Sequence, residues 1–150
     1  PSPGNRAGGI TTLEDKSCGC VQKGGSAPIT GVVEYGGTVT ARGLNLLDGP
    51  GNDLVSATAL AAAGAQLILF STGRGAPVPT LKITTNSRLA AAKPGWSDFD
   101  AGAVATGKMT IDETARGLYD LVIKTAGGQP TCAERHGHRQ IAIFKQGVTL

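Results

Sequence analysis

Leu44 to Asp53 (LNLLDGPGND), Gln66 to Gly75 (QLILFSTGRG) and Leu81 to Asn86 (LKITTN) each run from apolar residues into a polar, loop-forming cluster. Read as successive parallel strands, they gather their clusters along one sheet edge, where open α/β folds bind ligands. Asp53, Arg74 and Asn86 are then expected to share that edge. Between the first two tracts lies LVSATALAAAGA, of helix length and rich in Ala and Leu. It starts after Asn52-Asp53, good N-cap residues, and stops at Gly64. The three segments predict a β-α-β unit.

Outward from this unit the signals are shorter. Ile10 to Ser17 (ITTLEDKS) predicts a short helix capped by Thr11 or Thr12, with acids in its first turn. CGCVQKGGSAP and the leading PSPGNRAGG read as loops. The opening also reads as though the chain starts inside a longer polypeptide. Ile29 to Tyr35 is strand or helix, since a short apolar run does not decide by period. RLAAA predicts a short helix, KPGW a turn, and SDFDAGAVATG irregular or edge-like structure. Asp112 to Thr125 predicts an amphipathic helix with Ala115, Leu118, Leu121 and Val122 inward, ending at Gly127-Gly128. Gln140 to Val148 reads as a last strand.

The 150 residues fit one domain, and with aromatics at 4% its core has to come from Val, Ile, Leu and Ala. That suits helix-on-sheet packing better than a sandwich built on large rings. The net charge of +3 is dispersed, with no basic run or aromatic-interleaved stripe, so nucleic acid is set aside as a partner. Three cysteines cannot all pair within the chain, and nothing resembles a secretory signal or a membrane span. The expected compartment is the cytoplasm, with no membrane partner.

The clusters suggest chemistry. GPGND opens a helix, so its backbone N–H groups face a carboxylate or phosphate, or Asn52 and Asp53 merely cap the helix. It is not a dinucleotide fingerprint: Leu54 occupies the third glycine position and no P-loop lysine follows. In STGRG, Thr72 supplies a hydroxyl, Gly73 and Gly75 permit close backbone approach, and Arg74 has the fork that fits a carboxylate, against a tight turn with a solvated arginine. Thr84, Thr85 and Asn86 suit a polyhydroxylated ligand, or an ordinary cap. Lys23, in QKGG, is a base, an anion contact or simply exposed. Cys18-Gly19-Cys20 lacks the two-residue spacing and the four ligands of structural zinc, and reads as reduced thiols. His136-Gly137-His138 is half a metal site or a surface pair.

PSPGNRAGGITTLEDKS, GCVQKGG, GLNLLDGPGNDLVSATALAAAGAQLILFSTGRG, VPTLKITTNSRLA, KPGWSDFDAG and IAIFKQGVTL together resemble the C-terminal part of the altronate and galactarate dehydratase family. The resemblance runs nearly end to end. It implies a Rossmann-like, three-layer α/β sandwich with a mainly parallel sheet, here a fragment of a larger domain spanning 1–150. It further implies a hydro-lyase that converts a sugar acid, altronate or galactarate, to a 2-keto-3-deoxy acid. A divalent metal, Fe2+, is the implied cofactor. N-terminal and middle segments of the same protein would be partners, and a homodimer stays an open expectation.

Carried over by motif, Thr72, Gly73, Arg74 and Gly75 would hold the substrate carboxylate, while Asn52 and Asn86 would read hydroxyls. Lys23 and Asp53 are the candidate catalytic residues, and Cys20 is a soft contact to iron. Cys18 departs from the aliphatic residue usual in the family. The isolated chain is expected to turn over little or no substrate. Against this stand a small-anion-binding or assembly domain, and a sulfolactate sulfo-lyase-like subunit of the same superfamily.

Overall fold

The computed structural model describes residues 3–73 and 79–142. The chain divides into two compact units, Pro1–Val32 with Thr40–Leu46, and Val33–Val39 with Leu47–Leu150. In the first unit α1 (Pro3–Ala7) and α2 (Leu13–Lys23) precede β1 (Ile29–Val33) and β2 (Leu44–Leu47). The strands form a two-stranded sheet. Gly43 lies against Thr30 and Gly31 against Asn45, so both strands advance in the same direction.

Two segments of this unit correct the sequence reading. PSPGNRAGG contains α1 rather than only loop, and CGCVQK is helical. Thr12 accepts from Asp15 N while the Asp15 carboxylate accepts from Thr12 N, a complete capping box that fixes the start of α2. An interior glycine costs about 1 kcal/mol relative to alanine, too little to break a helix so capped. Gly19 therefore lies within α2, and Lys23 is its last residue rather than part of a glycine loop.

In the second unit α3 (Asp53–Ala62) is bounded as its sequence predicts. Asn52 Oδ1 accepts from Leu54 N and Val55 N at 3.1 and 3.3 Å, and Gly64 follows the helix at φ +111°. Then come β3 (Leu69–Thr72), β4 (Leu81–Thr84), α4 (Ser87–Ala92), β5 (Phe99–Asp100), α5 (Gly102–Ala105), α6 (Ile111–Ala126) and α7 (Cys132–Arg135). The sheet order is β3-β4-β5, all parallel, with Thr72 beside Thr84 and Thr84 beside Asp100. All four residues of β4 are buried, as expected of a central parallel strand covered on both faces.

The α/β class is as expected, with parallel strands and interleaved helices. The strand pairing is not. β2 pairs with β1 rather than with β3, so the three tracts do not form one hydrogen-bonded sheet. Apolar runs specify that strands exist; which strands pair is decided by the partners that happen to pack. α6 turns Leu118, Leu121 and Val122 inward, but Thr114 is its buried residue and Ala115 is exposed. The irregular stretch after KPGW contains β5 and α5. Most of the expected final strand, and the Arg74-Gly75 part of STGRG, lie outside the described residues.

Candidate functional site

Asn86 ends the β4 tract and caps α4, its Oδ1 accepting from Arg88 N and Leu89 N at 3.0 and 3.4 Å. Asn52 and Asn86 thus commit their amide oxygens to helix starts, which leaves the amide N–H groups as their donors to a ligand. Asp53 is the exposed first residue of α3, where a carboxylate complements the positive end of the helix dipole. Thr72 is the last residue of β3, and Gly73 follows it in a bend. In the first unit, Lys23 and Cys20 are exposed on α2. A separation of two residues turns an α-helix by about 200°, so Cys18 and Cys20 point to opposite sides of α2 and do not form a clasp.

The densest chemistry sits on the face of β4 that carries Lys82 and Thr84. Lys82 is 3% exposed, and its Nζ lies 5.5 Å from the centroid of Trp96. Lys93, just past α4, places its Nζ 4.9 Å from the same ring. Thr72, Thr84, Leu89 and Ser97 complete the lining of a small cavity of about 10 Å³ there, the room of one water. Burial pushes the Lys82 ammonium below its usual 10.5, opposed by the charge of Asp98.

Asp98 is a bracket. Its Oδ2 accepts from Lys82 N at 2.8 Å, its Oδ1 accepts from Cys132 N at 2.6 Å, and Arg135 approaches Oδ1 at 3.9 Å. The carboxylate thereby ties β4 to α7 through backbone donors. Cys132 itself is buried and donates from Sγ to Ser97 O at 3.2 Å; burial, then Asp98, pushes its thiol up. Next along the chain, Asp100 Oδ1 accepts from Gly102 N and Ser87 Oγ. A side chain at Gly102 would collide with Ser87, so glycine is required where α5 meets the start of α4.

Sequence reasoning missed Lys82, Trp96 and Asp98. A lysine between Leu81 and Ile83 in a short strand was the available signal, since a charge at such a position is either partnered or functional. His136 Nε2 lies 3.1 Å from Gly95 O, a carbonyl that accepts from it, with the ring 6.2 Å from that of His138. Among the described residues no three His, Cys, Asp or Glu side chains converge to hold a metal ion, so these residues do not by themselves fit an iron site. The cysteines are free, and no described helix is long and apolar enough to cross a membrane.

Fold and site define an α/β chain that presents hydroxyls, amides and cations at the carboxyl ends of parallel strands. The chain belongs to the family described as D-galactarate/altronate dehydratase, C-terminal, which matches residues 1–149. It is 54% identical to an altronate dehydratase of Escherichia coli (strain K12) and 51% identical to one of Bacillus subtilis (strain 168). Each match covers 100% of this chain and 31% of the relative. A galactarate dehydratase (L-threo-forming) of Escherichia coli (strain K12) is 36% identical over 96% of the chain and 29% of its own length. The chain therefore spans about a third of the curated relatives it matches.

Proposed function

We propose that this chain is the C-terminal portion of a hydro-lyase that dehydrates a sugar acid, altronate before galactarate, to a 2-keto-3-deoxy acid. The observation that carries the reading is the identity above one half to two altronate dehydratases over the whole chain. The chemistry agrees with the residue types. Removing the proton beside a carboxylate builds an enolate dianion, which cationic and N–H donors stabilise. The β-hydroxyl then leaves with a proton as water, and the enol left behind tautomerises to the keto acid.

In this proposal Thr72, Gly73, Arg74 and Gly75 hold the carboxylate, Asn52 and Asn86 read hydroxyls, and Lys23 and Asp53 move protons. Iron(II), if it is the cofactor, draws its ligands from beyond the described residues, with Cys20 as no more than one soft contact. The parallel β3-β4-β5 order supports a Rossmann-like arrangement, and the free thiols support a cytoplasmic protein.

The test is formation of a 2-keto-3-deoxy acid from D-altronate by the full-length protein, with galactarate and (2R)-sulfolactate assayed beside it. Turnover of sulfolactate alone overturns the reading in favour of a sulfo-lyase. Arg74→Lys keeps the charge but loses the planar two-pronged donor, and should lower kcat/KM by about 1.5–3 kcal/mol in transition-state terms. Arg116→Lys, exposed on α6, is the control. Equal losses at both, or none at Arg74, remove the carboxylate assignment. Substantial turnover by the 150-residue chain alone would show that no further segment is needed.

A further inference from the structure

Along α6 two rows of residues spaced by four lie side by side on the helix surface. The first, Ile111, Ala115, Tyr119 and Ile123, is exposed throughout, with Ile111 at 72%, Tyr119 at 65% and Ile123 at 54%. Thr114, Leu118, Leu121 and Val122 turn inward, so the unit's own packing does not use this row. Single exposed apolar side chains are ordinary, but a row that follows a helix of 16 residues from its first turn to its last marks a contact surface. The second row is Asp112, Arg116, Asp120 and Lys124, also exposed. Its charges alternate at the spacing that permits ion pairs along a helix, yet none of the four makes one among the described residues.

Turned end for end, both rows meet their own complement. A two-fold axis across the helix, near Gly117 and Leu118, keeps each row on its own flank and reverses its direction. Ile111 then meets the partner's Ile123, and Ala115 meets the partner's Tyr119, a small side chain opposite a large ring. In the neighbouring row Asp112 meets the partner's Lys124 and Arg116 meets the partner's Asp120, so every charge faces its opposite. A parallel pair would carry the charged rows to opposite flanks and form none of these contacts.

We propose that this face of α6 is the docking surface for a second copy of the chain, as an antiparallel two-fold helix pair. The apolar row supplies the affinity, while the charged row sets direction and register, since exposed ion pairs add little energy but like charges brought together cost a great deal. A helix of 16 residues is about 24 Å long, so the pair is a small interface and the expected affinity is micromolar. An isologous contact closes on itself, and association stops at two copies. The pairing does not rest on the dehydratase reading, and its failure would leave that reading untouched.

The test is sedimentation velocity of the full-length protein over a concentration series, in which the wild type should pass from monomer to dimer in the micromolar range. Arg116→Asp with Lys124→Asp makes the charged row wholly acidic, and Asp112→Lys with Asp120→Lys makes it wholly basic. Each variant alone should dimerise about tenfold more weakly or worse, whereas an equimolar mixture of the two should form a heterodimer at least as readily as the wild type forms its own. Arg116→Lys keeps the pattern of charge and should stay within about threefold of the wild type. All four positions are exposed, so the core is left alone, and circular dichroism checks the helix. Should a row of like charge fray α6, Tyr119→Lys is a single exposed change that should weaken association about tenfold by itself.

A wild type that stays monomeric throughout overturns the pair without recourse to any variant, and leaves this face to another segment of the longer polypeptide. Dimers that persist unchanged in both charge variants overturn it as well, because the contact then lies elsewhere. A mixture that remains monomeric has the same meaning.

Discussion

Asp98 shows how a single side chain can hold a site without entering it. Its carboxyl group is 5% exposed and serves backbone donors on β4 and α7, so that Lys82 is fixed in register beneath Trp96. Asp98→Asn should cost about 2–3 kcal/mol of stability, because one amide N–H would then face a backbone N–H and leave a buried donor unmet. Chemical denaturation checks this. A loss no larger than a few tenths of a kcal/mol would show that the two backbone donors find other acceptors. The residue was visible in the sequence only as one acid of SDFD. Nothing local distinguishes a buried bracket from a solvated aspartate, since the donors it satisfies lie 16 and 34 residues away.

At the scale of elements, legibility follows how local the deciding interaction is. The start of α3 at Asn52, the start of α4 at Asn86 and the stop of α6 at Gly127 are each set within a few residues, and each is readable. The extension of α2 through Cys18-Gly19-Cys20 is set by the capping box of Thr12 and Asp15 and overrides the local look of a loop. α6 carries the same device: Thr110 accepts from Glu113 N, and the Glu113 carboxylate accepts from Thr110 N at 2.8 Å. Thr110→Ala should cost about 1 kcal/mol.

These hydrogen bonds hold the Glu113 carboxyl below its usual 4.5. A carboxylate lowered in the folded state contributes stability that is fully present above 4.5 and is lost as pH falls through its folded value. Acid unfolding followed by circular dichroism should therefore show a shallower acid limb in Glu113→Gln. Identical limbs in the two proteins would remove the capping box as the source of the pH dependence.

Across the whole molecule, the buried apolar residues are few among those described: Ala57, Ala59, Ala63, Leu81, Ile83, Cys132 and Ala133, all in the second unit. In the first unit Leu13, Val21, Ile29, Val32 and Leu46 are exposed, and on α6 so are Ile111, Tyr119 and Ile123. Surfaces of this kind are normally covered. The 150-residue chain by itself should bind the dye ANS strongly and associate with rising concentration, and the full-length protein should do so far less. Equal dye binding by both would mean that the exposed residues have no cover in the longer protein. The amino-acid sequence by itself determined the α/β class, the caps and stops of α3, α4 and α6, and the family, because each rests on composition, short-range hydrogen bonding or a long run of matched residues. Only the tertiary structure decided that β2 pairs with β1 and that Lys82, Lys93 and Trp96 meet beneath an aspartate bracket. Strand partners and buried charges are chosen by contacts between residues far apart in the chain, and the energy of such a contact is not written at either end.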